Sequence, residues 1–375
     1  MPLSVLIAGG GTGGHLYPGI AVARALVARV PAARVTFVGT AAGIEARVVP
    51  REGFELDLIR SAGLKGKSLP TLARGLALIP MSAADAWAVI SRRQPSVVVG
   101  VGGYSSGPVV LLAALRGIPT LLMEQNAMPG LTNRLLAPVV EAAAVTYEES
   151  IRYFGNKAFV SGNPVRPEFF KNGGPRASRY HEQGAHGDDE RPPGAARVLV
   201  FGGSQGAHAI NVAMVEAAAR LAAAAPGVAV THQTGERDLE MVSDGYRRAG
   251  LEARVEPFLF EMDREMTAAD LVVCRAGATT LAELAASGRA SILVPLPTAT
   301  DDHQRKNAQA LVRQGAARMV EQRDLTGDRL AAEILALAGD NERRHRMSEA
   351  AAQLARRDAA EAIVDRIESL ARTKT

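Results

Sequence analysis

Two glycine-rich segments, about half a chain apart, contain the residue types best suited to bind a phosphate. Residues 9–15 read GGGTGGH and residues 202–207 read GGSQGA, and each follows a short apolar run. Glycines after a buried strand let the backbone approach a phosphate, and the next helix directs its N-terminus at that anion. The two segments therefore predict twin doubly wound α/β domains that face each other across a cleft.

The first segment ends at His15, an ionisable side chain at the start of a predicted helix. A helix N-terminus favours the neutral imidazole, which can act as a general base.

The glycines also satisfy the G-x-G-x-x-G pattern of dinucleotide-binding enzymes, which need an acidic residue at the end of the second strand. That strand ends near Thr40, and no carboxylate follows before Glu45. This spacing argues against a nicotinamide or flavin enzyme. Glycines with a purely structural role remain an alternative, but they leave His15 unexplained.

The second segment contains G-x-S-x-G around Ser204, the pattern of the nucleophile elbow of α/β-hydrolases. The remaining members of such a triad would have to come from residues 301–303 (DDH), which are too close together for the usual order. We therefore favour Ser204 as a hydroxyl and backbone donor to a phosphate, with acyl transfer as the alternative from another reaction class.

Further polar side chains in the second half suit a sugar nucleotide. Glu283 lies one helical turn after Thr279, where its carboxylate could accept hydrogen bonds from two ribose hydroxyls. Gln304 and Asn307 share a face of the next predicted helix and could read sugar hydroxyls. No strand ends in D-x-D, and the aspartates of residues 301–302 lack partners at metal-site spacing. We therefore expect no bound metal.

The composition is that of a globular protein with two domains: 375 residues, 47% hydrophobic and 22% charged. A single cysteine excludes a disulfide framework and fits a reducing compartment. The chain runs from Met1 directly into a strand pattern, so we expect no signal peptide, and it has no apolar stretch of about 18 residues. The net charge of +4 mildly favours an acidic ligand or an anionic surface, whereas 4% aromatic residues argue against nucleic acid.

Continuous apolar runs bounded by glycine and proline predict strands that are buried on both faces of parallel sheets. In the first half they are residues 5–8, 35–38, 97–101, 120–123, 142–145 and 158–160; in the second, 198–201, 229–231, 254–258, 271–274 and 291–294. We place one domain at 1–163 together with a C-terminal helix at about 355–375, and the other at 164–354. Residues 171–193 are so hydrophilic that they predict a mobile insertion.

The complete motif series resembles that of the MurG family, the bacterial N-acetylglucosaminyltransferases that convert lipid I to lipid II in peptidoglycan synthesis. It comprises residues 9–15 (GGGTGGH), 102–104 (GGY), 124–126 (EQN), 162–166 (GNPVR), 202–207 (GGSQGA), 274–278 (CRAGA) and 302–304 (DHQ). The series runs along nearly the whole chain. Its main departure is the insertion at 171–193, which contains none of the motifs.

The resemblance implies a GT-B fold, with an N-terminal acceptor domain and a C-terminal donor domain. It also implies an inverting, metal-independent transfer, without a cofactor, from UDP-N-acetylglucosamine to undecaprenyl-pyrophosphoryl-muramyl-pentapeptide. Two alternatives stay open: another GT-B enzyme acting on UDP-sugars (a lipid glycosyltransferase or a sugar-nucleotide epimerase), and a binding module without turnover. The acceptor-side residues His15, Tyr104 and Asn126 would distinguish the first of these.

By the same resemblance, particular residues acquire roles. Arg166 and Ser204 would contact the diphosphate, the backbone of Leu259 the uracil, Glu283 the ribose and Gln304 the sugar. His15 would be the general base, with Glu124 as the next candidate. The complete implied donor set is Thr12, Gly13, Gly14, Asn126, Arg166, Ser204, Leu259, Ala278, Thr279, Thr280, Leu281, Ala282, Glu283, Gln304 and Asn307.

The implied acceptor keeps its polyprenyl tail in the bilayer, so the protein is expected to dock peripherally on the cytoplasmic face of the bacterial cell membrane. Residues 64–89 place basic side chains beside apolar ones, which would attract anionic lipid. The membrane and acceptor candidates are Lys65, Lys67, Arg74, Leu76, Ile79 and Tyr104. A core helix with a solvated basic edge is the alternative for this segment.

Overall fold

The structure, a computed structural model, describes residues 3–61, 78–171, 196–203, 206–224, 227–299 and 302–373. The chain divides into two compact units. The first comprises Met1–Arg166 and Arg356–Thr375, and the second Pro167–Ala355. The boundary placed at 163 from the sequence falls just before this division, so Arg166 lies at the end of the first unit.

The first unit is built on a seven-stranded sheet in the order β3-β2-β1-β4-β5-β6-β7, with every neighbouring pair parallel. Its strands are β1 Ser4–Gly9, β2 Arg34–Gly39, β3 Glu55–Leu58, β4 Val97–Gly102, β5 Thr120–Glu124, β6 Ala142–Val145 and β7 Ala158–Val160. Its helices are α1 Gly13–Arg29, α2 Glu45–Arg51, α3 Ile79–Arg93, α4 Ser106–Leu115 and α5 Leu131–Leu136, with α14 Ala359–Arg372 at the end of the chain.

The apolar runs form the central strands because helices cover both faces of this sheet. On one face α1 contributes Leu16, Ile20 and Leu26 to a core that includes alternate residues of β1 and β4. On the other face α3 and α4 contribute to a second core, which contains the intervening residues of the same strands. Each central strand is therefore apolar at every position rather than at alternate ones.

The last helix, α14, completes the first of these cores. Ile363, Val364, Ile367 and Leu370 recur at helical spacing, are buried, and pack with the residues of α1. An ion pair between Arg29 and Asp365 lies at the rim of this contact. The end of the chain is thus part of the first unit.

The second unit repeats the scheme with a six-stranded parallel sheet in the order β10-β9-β8-β11-β12-β13. Its strands are β8 Ala196–Phe201, β9 Val228–Gln233, β10 Ala253–Glu256, β11 Leu271–Cys274, β12 Ser291–Leu293 and β13 Ala317–Met319. Its helices are α6 Glu168–Lys171, α7 His208–Ala222, α8 Leu239–Ala249, α9 Met262–Ala268, α10 Ala278–Ser287, α11 His303–Arg313, α12 Gly327–Ala338 and α13 Asn341–Gln353.

The strand order reverses direction once in each sheet, between β1 and β4 in the first unit and between β8 and β11 in the second. Ligands of doubly wound folds bind at such switch points, outside the carboxyl ends of the strands. The glycine-rich segments after β1 and β8 both begin there. The predicted class, two doubly wound domains with parallel sheets, is confirmed. No helix among the described residues combines the length and apolar character needed to cross a bilayer.

Candidate active site

The first glycine-rich loop is closed by a carboxylate from the chain itself. Glu45, only 1% exposed, accepts hydrogen bonds from Gly11 N at 2.7 Å, Thr40 N at 2.8 Å and Thr40 Oγ1 at 3.0 Å. A Cβ added to Gly10 or Gly43 would lie 2.5 or 2.1 Å from this carboxyl group. Gly10 and Gly43 therefore make room for a buried carboxyl group.

Glu45 lies where a dinucleotide-binding enzyme would need its ribose-binding acid. Glu45 is the first residue of α2, five residues beyond Thr40, but its carboxylate hydrogen-bonds to Thr40 directly after the end of β2. There the carboxylate bonds to the loop at Gly11. The expectation that no carboxylate lies at the end of β2 is therefore wrong, and the carboxylate found there is engaged in holding the loop.

His15 is the third residue of α1 and is partly buried. Its Nδ1 lies 3.2 Å from Oε1 of Gln125, which follows β5. The ring packs against Gly102 at the end of β4, where an added Cβ would lie 2.8 Å from Nδ1. Gly102 also has a φ of +96°, so glycine is favoured there both by the backbone conformation and by the close approach of the ring. The imidazole is thus held at the switch point of the first sheet.

Glu124, the other candidate base, is fully engaged inside its own loop. The buried carboxylate accepts hydrogen bonds from the backbone of Asn126 at 2.9 Å and its side chain at 3.2 Å. Gly130 N at 3.0 Å and Asn133 Nδ2 at 2.9 Å donate to the second oxygen. These bonds shape the turn that presents Asn126. The arrangement favours His15 over Glu124 as a proton acceptor.

The remaining first-unit candidates differ in exposure, and Gly13, Asn126 and Arg166 are only partly exposed. Tyr104 and Ile79 are exposed, and Thr12, Gly13 and Gly14 form the start of α1. The guanidinium of Arg166 lies 5.1 Å from the centre of the Tyr17 ring, on the second turn of α1. Lys65, Lys67, Arg74 and Leu76, together with Ser204 of the second unit, lie outside the described residues.

In the second unit, one buried side chain joins the glycine-rich loop to the segment expected to read uracil. Gln233, at the end of β9, donates from Nε2 to Gly203 O at 2.8 Å. Its Oε1 accepts from Leu259 N at 2.9 Å. The N–H of Leu259 is therefore engaged, which leaves the carbonyl as the backbone group of this residue that can bind a base.

The donor candidates from 278 to 283 form the first turns of α10, whose N-cap is Gly277. Ala278, Thr279 and Leu281 are buried, whereas Thr280, Ala282 and Glu283 are partly exposed. The backbone N–H groups of this helix start lie directly after β11, at the switch point of the second sheet. This position suits a phosphate or a sugar bound at the carboxyl ends of β8 and β11.

The two amides of α11 have different surroundings. Gln304 is partly exposed, and its Oε1 accepts from Leu296 N at 3.0 Å, which directs its NH₂ group away from that contact. Asn307 is fully buried and donates from Nδ2 to Ala276 O at 3.4 Å. Asn307 thereby supports the loop after β11, and Gln304 is the better placed of the two to meet a ligand.

Sequence reasoning missed three residues that organise these loops: Glu45, Gln125 and Gln233. Gln125 lies inside the EQN motif, but its role depends on partners far along the chain, and the same holds for Glu45 and Gln233. Within the described ranges, no three His, Cys, Asp or Glu side chains form a group that could hold a metal ion.

The fold and the loops at its switch points are those of a two-domain glycosyltransferase that uses a nucleotide-sugar donor. Models of the glycosyltransferase family 28 N-terminal domain and C-terminal domain match residues 5–145 and 197–363. Curated relatives named UDP-N-acetylglucosamine--N-acetylmuramyl-(pentapeptide) pyrophosphoryl-undecaprenol N-acetylglucosamine transferase occur in Pelobacter propionicus and Anaeromyxobacter dehalogenans. The first is 49% identical over 97% of this chain and 99% of the relative, and the second 50% identical over 97% and 92%.

A solved structure gives the same result. The crystal structure of Acinetobacter baumannii MurG superposes with a TM-score of 0.76 at 29% identity, covering 98% of this chain and 100% of that one. The chain belongs to glycosyltransferase family 28, in the group of MurG transferases. The family predicted from the motif series is confirmed.

Proposed function

We propose that this protein transfers N-acetylglucosamine from UDP-N-acetylglucosamine to undecaprenyl-pyrophosphoryl-muramyl-pentapeptide, with inversion at the anomeric carbon and without a metal. The observation that carries the proposal is the 49–50% sequence identity, over 97% of the chain, to relatives named for this reaction. The loops at both switch points support it, because they contain the residues that a sugar-nucleotide transferase needs. An epimerase could also use a histidine as an acid or base, so the near-full-length identity, rather than His15, separates the transferase from this alternative.

In the proposed mechanism, a hydroxyl of the acceptor sugar attacks the anomeric carbon as the bond to UDP breaks. His15 accepts the hydroxyl proton, and UDP leaves with the bonding electron pair. Positioned general bases contribute about 10²- to 10⁴-fold to such steps. Thr12, Gly13, Gly14 and Asn126 would contact the donor beside this base.

The diphosphate gains negative charge as it leaves, so stabilising that charge is the second requirement. Arg166, the glycine-rich loop with Ser204 and the N-terminus of α10 would supply hydrogen-bond donors and positive potential. A helix N-terminus is worth up to about 2 kcal/mol when partly buried, and preorganised donors in a dry site are worth more. Glu283 would hold the ribose, Gln304 the sugar and the Leu259 carbonyl the uracil.

Labelled UDP-N-acetylglucosamine and a soluble lipid I analogue test the proposal directly. We expect a disaccharide product, turnover that persists in a chelator, and a fall in kcat of about 100-fold or more in His15→Ala. UDP affinity should change little in that variant. His345→Ala, which alters a partly exposed histidine on α13, is the matched control and should retain the wild-type rate. Activity lost in chelator and restored by magnesium would contradict the metal-free part. Epimerised donor without disaccharide would support the alternative enzyme class.

We further propose that the first unit docks on an anionic membrane surface through α3, α4 and α5, which pack in sequence on one face of its sheet. Leu115 and Leu135 are 71% and 70% exposed, and Ile79, Trp87 and Leu111 are exposed on the same helices. Scattered exposed leucines are common, but this many on neighbouring helices favour an apolar surface for binding. The sequence analysis did not include α4 in the membrane-binding segment, although this helix is apolar around most of its circumference.

Sedimentation with liposomes tests this docking surface. The double variant Leu115→Glu, Leu135→Glu should lose most binding to anionic liposomes, while Val312→Glu, which alters an exposed apolar residue of the second unit, should bind like wild type. Lys65→Glu, Lys67→Glu, Arg74→Glu tests the basic residues predicted from the sequence. Equal binding of all four proteins would exclude the surface and leave the catalytic proposal unaffected.

A further inference from the structure

One nitrogen of the His15 ring has a defined partner, and that partner is itself fixed. Nδ1 of His15 lies 3.2 Å from Gln125 Oε1. The other end of the same amide, Nε2, lies 3.1 Å from the carbonyl oxygen of Val101 on β4. Gln125 is buried, so neither end of its amide is free to exchange partners with bulk water.

The orientation of this amide follows from the chemistry of its partners. A backbone carbonyl only accepts hydrogen bonds, so the group facing Val101 must be the NH₂ of Gln125. The group facing His15 is then the amide oxygen, which also only accepts. The hydrogen bond therefore requires a proton on Nδ1 of His15, and the neutral ring has its lone pair on Nε2.

We propose that Gln125 is a positioning residue for the transfer reaction. It selects the Nδ1–H tautomer of His15 and so reserves Nε2 as the atom that accepts the proton of the acceptor hydroxyl. This inference rests on the proposed role of His15 as the general base. A neutral amide performs the task without adding a negative charge beside the imidazole. Gly102 supports the arrangement, because a side chain there would displace the ring from its position.

The tautomer can be observed directly by long-range ¹H–¹⁵N spectroscopy of protein labelled on its seven histidines. The signals of His15 are those that disappear in His15→Gln. We expect a protonated Nδ1 and an unprotonated Nε2 in the neutral wild-type ring. In Gln125→Met, which keeps the length but removes the acceptor, both tautomers should appear. In Gln125→Glu, which keeps an acceptor oxygen, the Nδ1–H form should persist.

Kinetics supply the second measurement. Gln125→Met should lower kcat about twofold or more while changing KM for the donor less than twofold, because the fraction of His15 in the wrong tautomer cannot accept the proton. In Gln125→Glu a carboxylate would favour the charged imidazole, so the acidic limb of the kcat profile should move to higher pH. Gln314→Met, an exposed glutamine of the second unit, is the matched control and should match wild type.

The outcomes separate this inference from the proposed function. A neutral His15 with its proton on Nε2 would overturn it, and so would unchanged tautomer and kcat in Gln125→Met. If the Nδ1–H form is present and depends on Gln125, but His15→Ala retains its rate, the base role fails and with it the catalytic meaning of the contact. The spectroscopic result does not depend on turnover, so the two failures cannot be confused.

Discussion

The buried histidine of the second unit, His232, should make the stability of that unit depend on pH. Its Nδ1 lies 2.6 Å from the Tyr246 hydroxyl and its Nε2 3.0 Å from Asn211 Oδ1. The Asn211 amide NH₂ donates to Asp238 and to Thr234 O, both at 2.9 Å, so its oxygen faces the ring. Nε2 of His232 therefore carries the proton and Nδ1 accepts from Tyr246. The site is built for a neutral imidazole.

Burial lowers the pKa of His232 from 6.5 to about 3, and the nearby charge of Asp238 opposes this only in part. Below pH 6.5 the unfolded chain therefore binds a proton at this position that the folded chain does not bind until about pH 3. The contribution of the neutral site to stability is complete above pH 6.5 and falls as the pH decreases. At about 1.4 kcal/mol per pH unit, the loss between pH 6.5 and 5 is about 2 kcal/mol.

Urea unfolding followed by circular dichroism, at pH values from 7 to 5, measures this loss. His232→Gln keeps an amide donor and acceptor but does not titrate, so its stability should fall less steeply than that of wild type. The difference in slope should amount to about 2 kcal/mol over the interval. His345→Gln, on the surface of α13, should follow the wild-type curve. Parallel curves for wild type and His232→Gln would refute the reasoning.

Two other changes test the loops. Glu45→Ala removes the acceptor of three hydrogen bonds, and the donors at Gly11 and Thr40 remain without their carboxylate. The first unit should therefore lose about 3 kcal/mol of stability. A loss below about 0.5 kcal/mol in urea unfolding would contradict the role of Glu45 in holding the loop. CDP should inhibit transfer at least about tenfold more weakly than UDP, since cytosine has no N3–H to donate to the Leu259 carbonyl; equal inhibition constants would show that this carbonyl does not read the base.

Most of the sheet framework could be predicted from the sequence, and the omissions have a physical cause. Central strands are buried on both faces, so their apolar runs stand out, as in residues 97–101. The two missed strands, Glu55–Leu58 and Ala317–Met319, lie at sheet edges. Apart from buried Ala317, their positions are exposed or half-buried and admit polar residues, which removes the continuous apolar signal.

Candidate site residues could be proposed from the sequence only where several of them lie close together along the chain. The glycine-rich segments, His15 and the start of α10 satisfy that condition. Gln233 does not, because it contacts Gly203 and Leu259 through a fold that brings three loops together. A glutamine at the end of a strand has no periodicity or motif that marks it. Such positioning residues become visible only when the hydrogen-bond partners are known.

The two glycine-rich loops look alike in sequence but differ in what they hold. In the first, the carboxylate of Glu45 fills the space beside Gly10 and accepts a hydrogen bond from Gly11 N, although an added Cβ on Gly11 would meet nothing within 4 Å. In the second, an added Cβ on Gly206 would lie 1.8 Å from Thr234 O, whereas one on Gly203 would meet no described atom within 4 Å. The first loop is thus held by the Glu45 carboxylate, which accepts from Gly11 N, and the second by the Gln233 amide, which donates to Gly203 O. The same motif is therefore fixed by a different side chain in each unit, and under our proposal the first loop positions His15 as the base while both loops contact the donor.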